Sequence, residues 1–398
     1  MSTPTLLAST STSRRTARRG SVLIVVLVTL VFATAALVIF IEKATTDLLV
    51  VQRDATADRL RFEAYSALET TLGVLVDFRD AIGGLHSPEE GWGDPLGFAG
   101  YEPGPDRTVT VTFEDESGKI SLPSVDAPTW VNVFTAWQLT QTDADKLADA
   151  LLGWMQVDYT PGVAGAPRPE DYDRGDLPFQ PPARSLRSYS ELAAINVAKE
   201  IFYDEKGRPN ELWHRFAATF SLYRYQRPNL NAAAPDLLAA FGPVDPVQQR
   251  RLTEYLTGTG AQESVGKGFF KNTSEVASIL GASSEAASAV GTTISALRVI
   301  VTVTEGGSSY RLAALVAPAT GGARAPVSGD LNKETATTAN PAANTGNSGS
   351  AAASSARAPT SANSSTAQTL NYPFTLLEIR ENDAIPSPVA ERPATDRP

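Results

Sequence analysis

The feature that most limits how this chain can fold is one uncharged apolar segment near its N-terminus. Residues Ser21 to Ile41 read SVLIVVLVTLVFATAALVIFI and contain no charged side chain. As a helix rising about 1.5 Å per residue, the segment spans roughly 30 Å, the thickness of a bilayer hydrocarbon core. Four arginines precede it, at positions 14, 15, 18 and 19, and Glu42 and Asp47 follow it. This charge distribution predicts a cytoplasmic N-terminus and an exported C-terminal body.

The helical pattern continues beyond the apolar segment. Apolar residues recur at helical spacing as far as the pair Gly83-Gly84, a typical helix end. These residues are Leu48, Val51, Leu60, Ala64, Leu68, Leu72 and Leu75. We therefore expect one helix that begins in the membrane and continues as an amphipathic stalk. An ordinary signal anchor and a cleaved secretory signal are alternatives, but the run is long for a signal-peptide core and no small-x-small site ends it.

Three later segments have the pattern of β-strands. In the segment from Arg107 to Leu122, valine and phenylalanine alternate with threonine before a turn at Ser117-Gly118. The segment from Leu297 to Val316 reads as a hairpin around Gly306-Gly307, and Tyr372 to Ile379 as a last strand. Residues 126–295 between them are mainly helical in pattern. Strands on either side of a helical block predict an α+β fold in which one antiparallel sheet is interrupted by a helical insertion.

Two helix starts can be predicted inside the helical block. Thr142 lies before the apolar-periodic segment that ends near Trp154, and we expect it to be the N-cap of that helix. Ser188 and Glu191 have the spacing of a capping box. After the hairpin, residues 317–370 consist mostly of Ala, Ser, Thr, Asn, Gly and Pro, a composition that predicts disorder.

The start of the chain resembles the prepilin family, in which a basic leader ends in glycine directly before an apolar helix. Four segments resemble, in the same order, the K-type minor pseudopilin of type II secretion. They are DESGKISL from Asp115, LADALLGWMQVDYTPGVAGAPRPEDYD from Leu147, SLRSYSELAAI from Ser185 and RPNLNAAAPDLLAAF from Arg227. The low-complexity tract is a departure from this pattern.

The resemblance implies a processing site and a position in a filament. A prepilin peptidase would cut between Gly20 and Ser21, after which the new N-terminus would be methylated. Major pilins carry a glutamate at the fifth mature position, where this chain has Val25. The lack of that acid is expected of the K-type subunit and favours a place at the filament tip.

The resemblance also implies how the chain is divided. The expected parts are a prepilin leader (1–20), a transmembrane and stalk helix (21–84), the first part of a pilin-like sheet domain (85–125), an inserted helical domain (126–295), a sheet hairpin (296–316), the low-complexity segment (317–370), and a final strand and tail (371–398). The expected location is the inner membrane, with a single span and the body in the periplasm. Expected partners are other minor pseudopilins, the prepilin peptidase, the inner membrane, and the secretion channel or its protein cargo. A minor pilin of a type IV pilus is the alternative within the same class.

An acidic loop after Trp154 is a candidate metal site. By composition alone, a solvated acidic loop is the simpler interpretation. The K-type family binds calcium in its helical region, and its acidic loop aligns best with Asp158, Glu170 and Asp171. Gln156 stands where the family often has an aspartate. The resemblance thus implies calcium as a cofactor, with an incomplete match in the ligands.

Other classes of function have less support in the sequence. RPNLNAAAPDLLAAFG resembles half of a helix-hairpin-helix unit and suggests a membrane-anchored DNA receptor, but the glycine hairpin is replaced by GPVDP and the net charge of the chain is −10, which predicts no nucleic acid partner. The chain has no cysteine and two histidines, His86 and His214, which we expect at the surface. Because the sequence contains none of the common catalytic motifs, we predict that the protein is not an enzyme.

Overall fold

A computed structural model describes residues 17–173, 178–233, 237, 240–241, 245–280, 285–326 and 373–382. By compactness the chain divides into two units, Met1–Phe62 and Glu63–Pro398. The second unit, called the head below, contains the sheet as well as the helical insertion. The predicted boundary positions inside the head remain predictions.

The first helix, α1, comprises Ala17–Ile82. From Val22 to Val51 its large apolar side chains are exposed, with exposed fractions between 43% and 72%. By length and composition it is the one helix among the described residues that is able to cross a membrane. Helix α1 ends where the sequence predicts, because Gly83 has a φ of +89°, in the left-handed region that favours glycine.

The head contains a four-stranded antiparallel sheet and one very short parallel pair. In chain order the strands are β1 (Arg107–Asp115), β2 (Ile120–Ser121), β3 (Phe220–Ser221), β4 (Leu297–Glu305), β5 (Ser308–Pro318) and β6 (Phe374–Glu381). The large sheet has the order β1-β4-β5-β6, and β2 pairs with β3. The predicted α+β fold with an interrupted antiparallel sheet is confirmed.

The central strands differ from the edge strands in burial. Most side chains of β4 and β5 are buried, whereas β1 alternates between half-buried valines and exposed threonines. The two patterns are those of an edge strand that is half-buried, β1, and of central strands that are covered, β4 and β5. In the register, Val111 lies opposite Val301, which lies opposite Leu312.

Short helices form most of the rest of the head. They are α2 (Pro95–Ala99), α3 (Ala127–Ala136), α4 (Gln141–Met155), α5 (Pro169–Tyr172), α6 (Asn196–Phe202), α7 (Glu211–Thr219), α8 (Pro246–Thr257), α9 (Thr273–Leu280) and α10 (Glu285–Ala289). Their shared core contains an aromatic cluster in which Trp130 lies 4.4 Å from Phe220 and Phe216 lies 4.8 Å from Phe220, between ring centroids. Aromatic rings at these distances contribute both buried apolar area and ring–ring contacts to the core.

The structure corrects two local predictions. Thr140, and not Thr142, is the N-cap of α4, because its hydroxyl accepts a hydrogen bond from the Asp143 N–H and donates one to the Asp143 carboxylate. Strand β5 extends to Pro318, and the backbone of Arg324 pairs with that of Arg224. Residues 317–326 are thus ordered, contrary to the prediction of disorder from 317 onward. The rest of that tract, 327–370, lies outside the described residues.

Candidate functional site

The predicted processing site lies in the first part of α1. Gly20 and Ser21 have helical backbone, and their side chains are outside the described part of the structure. Cleavage between them therefore stays a prediction.

The three predicted calcium ligands lie in the segment that follows α4. Asp158 has a φ of +58° in a turn, while Glu170 and Asp171 lie in the short helix α5. The Asp171 carboxylate accepts a hydrogen bond of 2.9 Å from the Arg168 N–H, which closes the first turn of α5. Among the described residues, no three His, Cys, Asp or Glu side chains form a group that could hold a metal ion. Calcium binding therefore stays a prediction.

A different acid organises the beginning of this segment. Asp149 of α4 is buried, accepting hydrogen bonds from the Tyr159 hydroxyl (2.5 Å) and the Val163 N–H (2.8 Å). Burial and the hydrogen bond to Asp149 raise the pKa of Tyr159 to about 12, so this hydroxyl stays protonated and donates. The sequence analysis did not single out Asp149. The available signal was its position among the apolar residues of LADALLGWM, where a charged side chain is unusual unless it is paired.

Two asparagines of the segment RPNLN form a buried junction in the head. Asn229 is fully buried, and its amide donates to the His86 carbonyl (3.0 Å) and to the Asp115 carboxylate (2.7 Å). Its backbone N–H donates to the Ser117 carbonyl at 2.7 Å. One residue thus links the helical insertion to the loop after α1 and to the end of β1.

Asn231 extends the same junction. Its amide donates to the carbonyls of His86 (3.3 Å), Phe270 (3.0 Å) and Thr292 (3.1 Å), and its side-chain oxygen accepts from the Phe270 N–H (2.7 Å). Asn231 is half-buried, and an asparagine whose donor and acceptor groups are all paired specifies a single arrangement of the segments around it.

Gly118 permits the close packing at this junction. A Cβ atom at this position would lie 2.5 Å from the carbonyl oxygen of Ala232, a contact that side chains essentially never make. The 3-10 helix Leu230–Ala232 therefore packs directly on the turn that follows β1. This contact joins the segment DESGKISL to the segment RPNLN, two of the four segments that carry the resemblance.

The acid at the junction has a perturbed pKa. Although Asp115 as a residue is only half-buried, its carboxylate lies among Ser117, Asn229 and other buried groups, and these surroundings decide its ionisation. Burial raises the pKa of Asp115 to about 6, while hydrogen bonds from Ser117 and Asn229 act in the opposite direction. The carboxylate is therefore charged at neutral pH and titrates just below it.

His86 is buried, contrary to the prediction that both histidines lie at the surface. Its Nδ1 lies 2.6 Å from Oε1 of Glu90, and Oε2 of the same carboxylate accepts hydrogen bonds from the His86 N–H and the Trp92 indole N–H. Burial opposes ionisation of Glu90, but the hydrogen bonds from His86 and Trp92 lower its pKa below the usual value. His214 is exposed, as expected.

A second cluster of buried and partly buried side chains surrounds Glu116, in the turn after β1, and contains opposite charges. Arg298 of β4 is 7% exposed and lies 3.6 Å from Glu116 and 3.0 Å from Glu378 of β6. Lys119 lies 2.9 Å from Glu116. Burial opposes the charge on Lys119, yet the neighbouring Glu116 carboxylate raises its pKa above the usual value.

The part of α1 inside the head is fastened to the first strand. Glu63 accepts hydrogen bonds from Arg107 of β1 (2.5 Å) and from the Tyr101 hydroxyl (2.6 Å). A salt bridge that is mostly buried and also hydrogen-bonded fixes orientation better than an exposed one. These clusters join helix, sheet and insertion to one another, and their geometry is that of a structural scaffold.

Similar proteins are found among solved structures but not among family models or curated sequences. No protein-family model and no curated protein sequence matches the chain. A chain in the crystal structure of the GspK-GspI-GspJ complex from the type 2 secretion system of enterotoxigenic Escherichia coli is similar to it, with a TM-score of 0.45 and 12% sequence identity. The match covers 67% of this chain and 93% of that chain.

Proposed function

We propose that this protein is a membrane-anchored structural subunit of the type IV pilin class, acting as the K-type minor pseudopilin at the tip of a type II secretion pseudopilus. The observation that carries the proposal is helix α1. One continuous helix presents exposed apolar side chains between Val22 and Val51 and has buried apolar positions between Ala64 and Leu75. A helix of this kind can lie in a membrane or filament in its first part and support a folded head with its second part.

The head supports the more specific assignment within the class. The large sheet is interrupted between β1 and β4, where the chain forms the helical insertion. Two of the four segments that resemble the K-type subunit meet at the junction around Asn229 and Asn231. Val25 stands at the fifth position after the proposed cleavage site.

The rival function of a DNA receptor has less support from the same residues. In a helix-hairpin-helix unit the polar groups of the hairpin would face the phosphate backbone. In this chain Asn229 and Asn231 are used inside the head. Gly242, Pro243 and Val244 lie outside the described residues.

The proposal is tested by deleting the gene in its own bacterium and measuring three phenotypes together: export of secreted proteins, surface piliation and DNA uptake. We expect export to fail and to be restored by the wild-type gene, with piliation and uptake unchanged. A defect confined to piliation would assign the chain to a type IV pilus, and one confined to uptake would favour the receptor.

Calcium binding is a separate proposal at the segment after α4. We expect calcium to raise the melting temperature of the purified protein relative to the protein in a chelator, and we expect Asp158→Asn to reduce that shift. Asp143→Asn is the control, because Asp143 lies in the exposed first turn of α4. An equal melting temperature with and without calcium would leave the acidic loop as a solvated one.

A further inference from the structure

Strand β6 is joined to the sheet by a much longer connection than its neighbours. The hairpin between β4 and β5 needs only the two residues Gly306 and Gly307. By contrast, about 55 residues separate Pro318 from Phe374, although antiparallel neighbours can be joined by as few as two. A chain of this length can extend over more than about 100 Å, so the covalent connection does not by itself restrict β6 to its own sheet.

The apolar contribution of β6 to the core is small. Phe374 is buried, with 3% exposed, and Leu377 packs partly buried against the core, whereas Leu376 and Ile379 are 45% and 40% exposed. Strand β5, which is the neighbour of β6 in the sheet, is buried along most of its length. Since burial of apolar surface is the dominant stabilising contribution to folding, apolar burial holds β6 less firmly than the central strands β4 and β5.

Polar contacts fasten the two ends of β6. Near its start, Arg79 donates a 2.6 Å hydrogen bond to the Pro373 carbonyl and its guanidinium lies 5.3 Å from the Phe374 ring. At its end, the Tyr65 hydroxyl donates to Glu381 at 2.7 Å. These contacts are directional, and they form only when the strand lies in its register.

The centre of β6 carries a specific charge contact. Glu378 accepts hydrogen bonds from Arg298 (3.0 Å) and from the Tyr223 hydroxyl (3.2 Å). Burial disfavours the charged form of Glu378, but hydrogen bonds from Arg380 and Arg298 lower its pKa below the usual value. An extended segment with an acid at this position is thus recognised by backbone pairing with β5 and by the buried guanidinium of Arg298, as peptides are recognised in β-augmentation.

We propose that β6 is an exchangeable strand: it lies on the β5 edge as a docked peptide would, and the β5 edge of a second copy of this chain receives it. The occupant is the same segment, Phe374–Glu381, supplied by the neighbouring molecule. In dilute solution a molecule's own β6 is favoured, because its effective concentration is high. Exchange between copies then requires release of β6, and the few apolar contacts of the strand allow this release without unfolding the rest of the sheet.

The absence of cysteine from the sequence gives a direct test with the full chain. Ala317 of β5 lies opposite Thr375 of β6 in the register. One chain carries Ala317→Cys and the other carries Thr375→Cys, and the two purified proteins are mixed and oxidised. We expect disulfide-linked dimers to accumulate over hours. A chain that carries both substitutions forms the bond internally.

A mismatched pair controls for random collision. Thr108→Cys is exposed on the opposite edge strand, β1, and replaces Ala317→Cys in the control mixture. We expect at least tenfold fewer dimers in that mixture. In the matched mixture, Glu378→Gln on the β6 donor accelerates the approach to the exchanged state at least tenfold, since it removes a charge contact that must break on release. Leu376→Gln, at an exposed position, changes that rate less than threefold.

Three results would overturn the proposal. The first is a matched mixture that yields no more dimers than the mismatched one after several days. The second is an exchange rate that does not respond to Glu378→Gln. The third is a double-cysteine chain that forms no internal bond, because the pairing on which exchange depends would then be wrong.

Discussion

Single polar residues, one buried and one half-buried, decide how the parts of this head are joined. Asn229 and Asn231 each bond to several segments that are distant in sequence, and both contact the His86 carbonyl. Removing one partner from such a network leaves buried groups unpaired, which costs more free energy than the bond contributes when formed. Asp115 adds a dependence on pH, because it is the charged member of this junction.

The pH dependence of Asp115 has a definite sign. Burial raises the pKa of this carboxyl from 3.8 to about 6 in the folded protein. Between these two values the folded state binds more protons than the unfolded state, so the contribution of Asp115 to the free energy of unfolding falls as pH rises through this window. Above about pH 6 the loss is complete, on the order of 3 kcal/mol for this group.

Asn229→Asp tests the junction at the residue scale. The substitution places a second carboxyl where the amide now lies, 2.7 Å from the Asp115 carboxylate. We expect the free energy of unfolding at pH 8 to fall by at least about 3 kcal/mol, since two close carboxylates cannot both ionise at low cost. At pH 5 the pair can share a proton, and a large part of the loss is regained.

Chemical unfolding at the two pH values measures this effect, and Asn196→Asp is the control. Asn196 is exposed in the first turn of α6, where an acid is tolerated or slightly favourable. A loss for Asn229→Asp that is equal at pH 5 and pH 8 would contradict the pairing with Asp115.

Sequence patterns predicted individual residues less well than elements. A hydroxyl residue before a helix and an acid three positions later occur both at Thr140 and Thr142, and only packing decides between them. The burial of His86 depends on Glu90 and Trp92, which follow it in a loop without periodicity. Asn229 caps the 3-10 helix Leu230–Ala232, which is a local role, but its long-range contacts depend on the tertiary fold.

At the scale of elements, periodic sequence patterns were sufficient to predict the hairpin and the last strand. The hairpin from Leu297 to Val316 is predicted because two apolar runs are separated by a glycine pair, and the observed hairpin begins at the same residue and extends to Pro318. The last strand was predicted from YPFTLLEI and is observed at Phe374–Glu381. The pairing of β2 with β3, two residues each and about 100 residues apart, has no signal in the sequence, because its register is set by the packed core.

The hairpin turn gives a prediction with a matched control. Gly306 has a φ of +57°, whereas its neighbour Gly307 does not have a positive φ. Gly306→Ala is therefore expected to lower the free energy of unfolding by about 1 kcal/mol, since an L-residue is strained in the left-handed region.

Gly307→Ala is the control for the turn, because nothing lies within 4 Å of a Cβ atom at either glycine. We expect it to change the free energy of unfolding much less than Gly306→Ala does. Thermal unfolding of the two variants side by side provides the comparison. Equal effects would mean that the turn does not have the backbone conformation described.

At the scale of the whole molecule, the account depends on the nature of helix α1. An apolar run, basic residues before it and a helix that continues into a folded head are shared by simple signal anchors and by pilin-class subunits. What distinguishes the two is processing at Gly20, and the exposed apolar side chains from Val22 onward would then begin almost at the mature N-terminus. Processing cleaves a covalent bond, and a test of it therefore does not depend on how the head is packed.

The most direct test is the N-terminal mass of the protein produced with and without a prepilin peptidase. The account predicts a mature chain that begins at Ser21 only when the peptidase is present, and a chain with Gly20→Asp that stays uncut. Arg19→Lys, which preserves the basic character of the leader, should still be cut and serves as the control. A wild-type chain that stays uncut in the presence of the peptidase, or one cut beyond Ile41, would contradict the assignment to the pilin class.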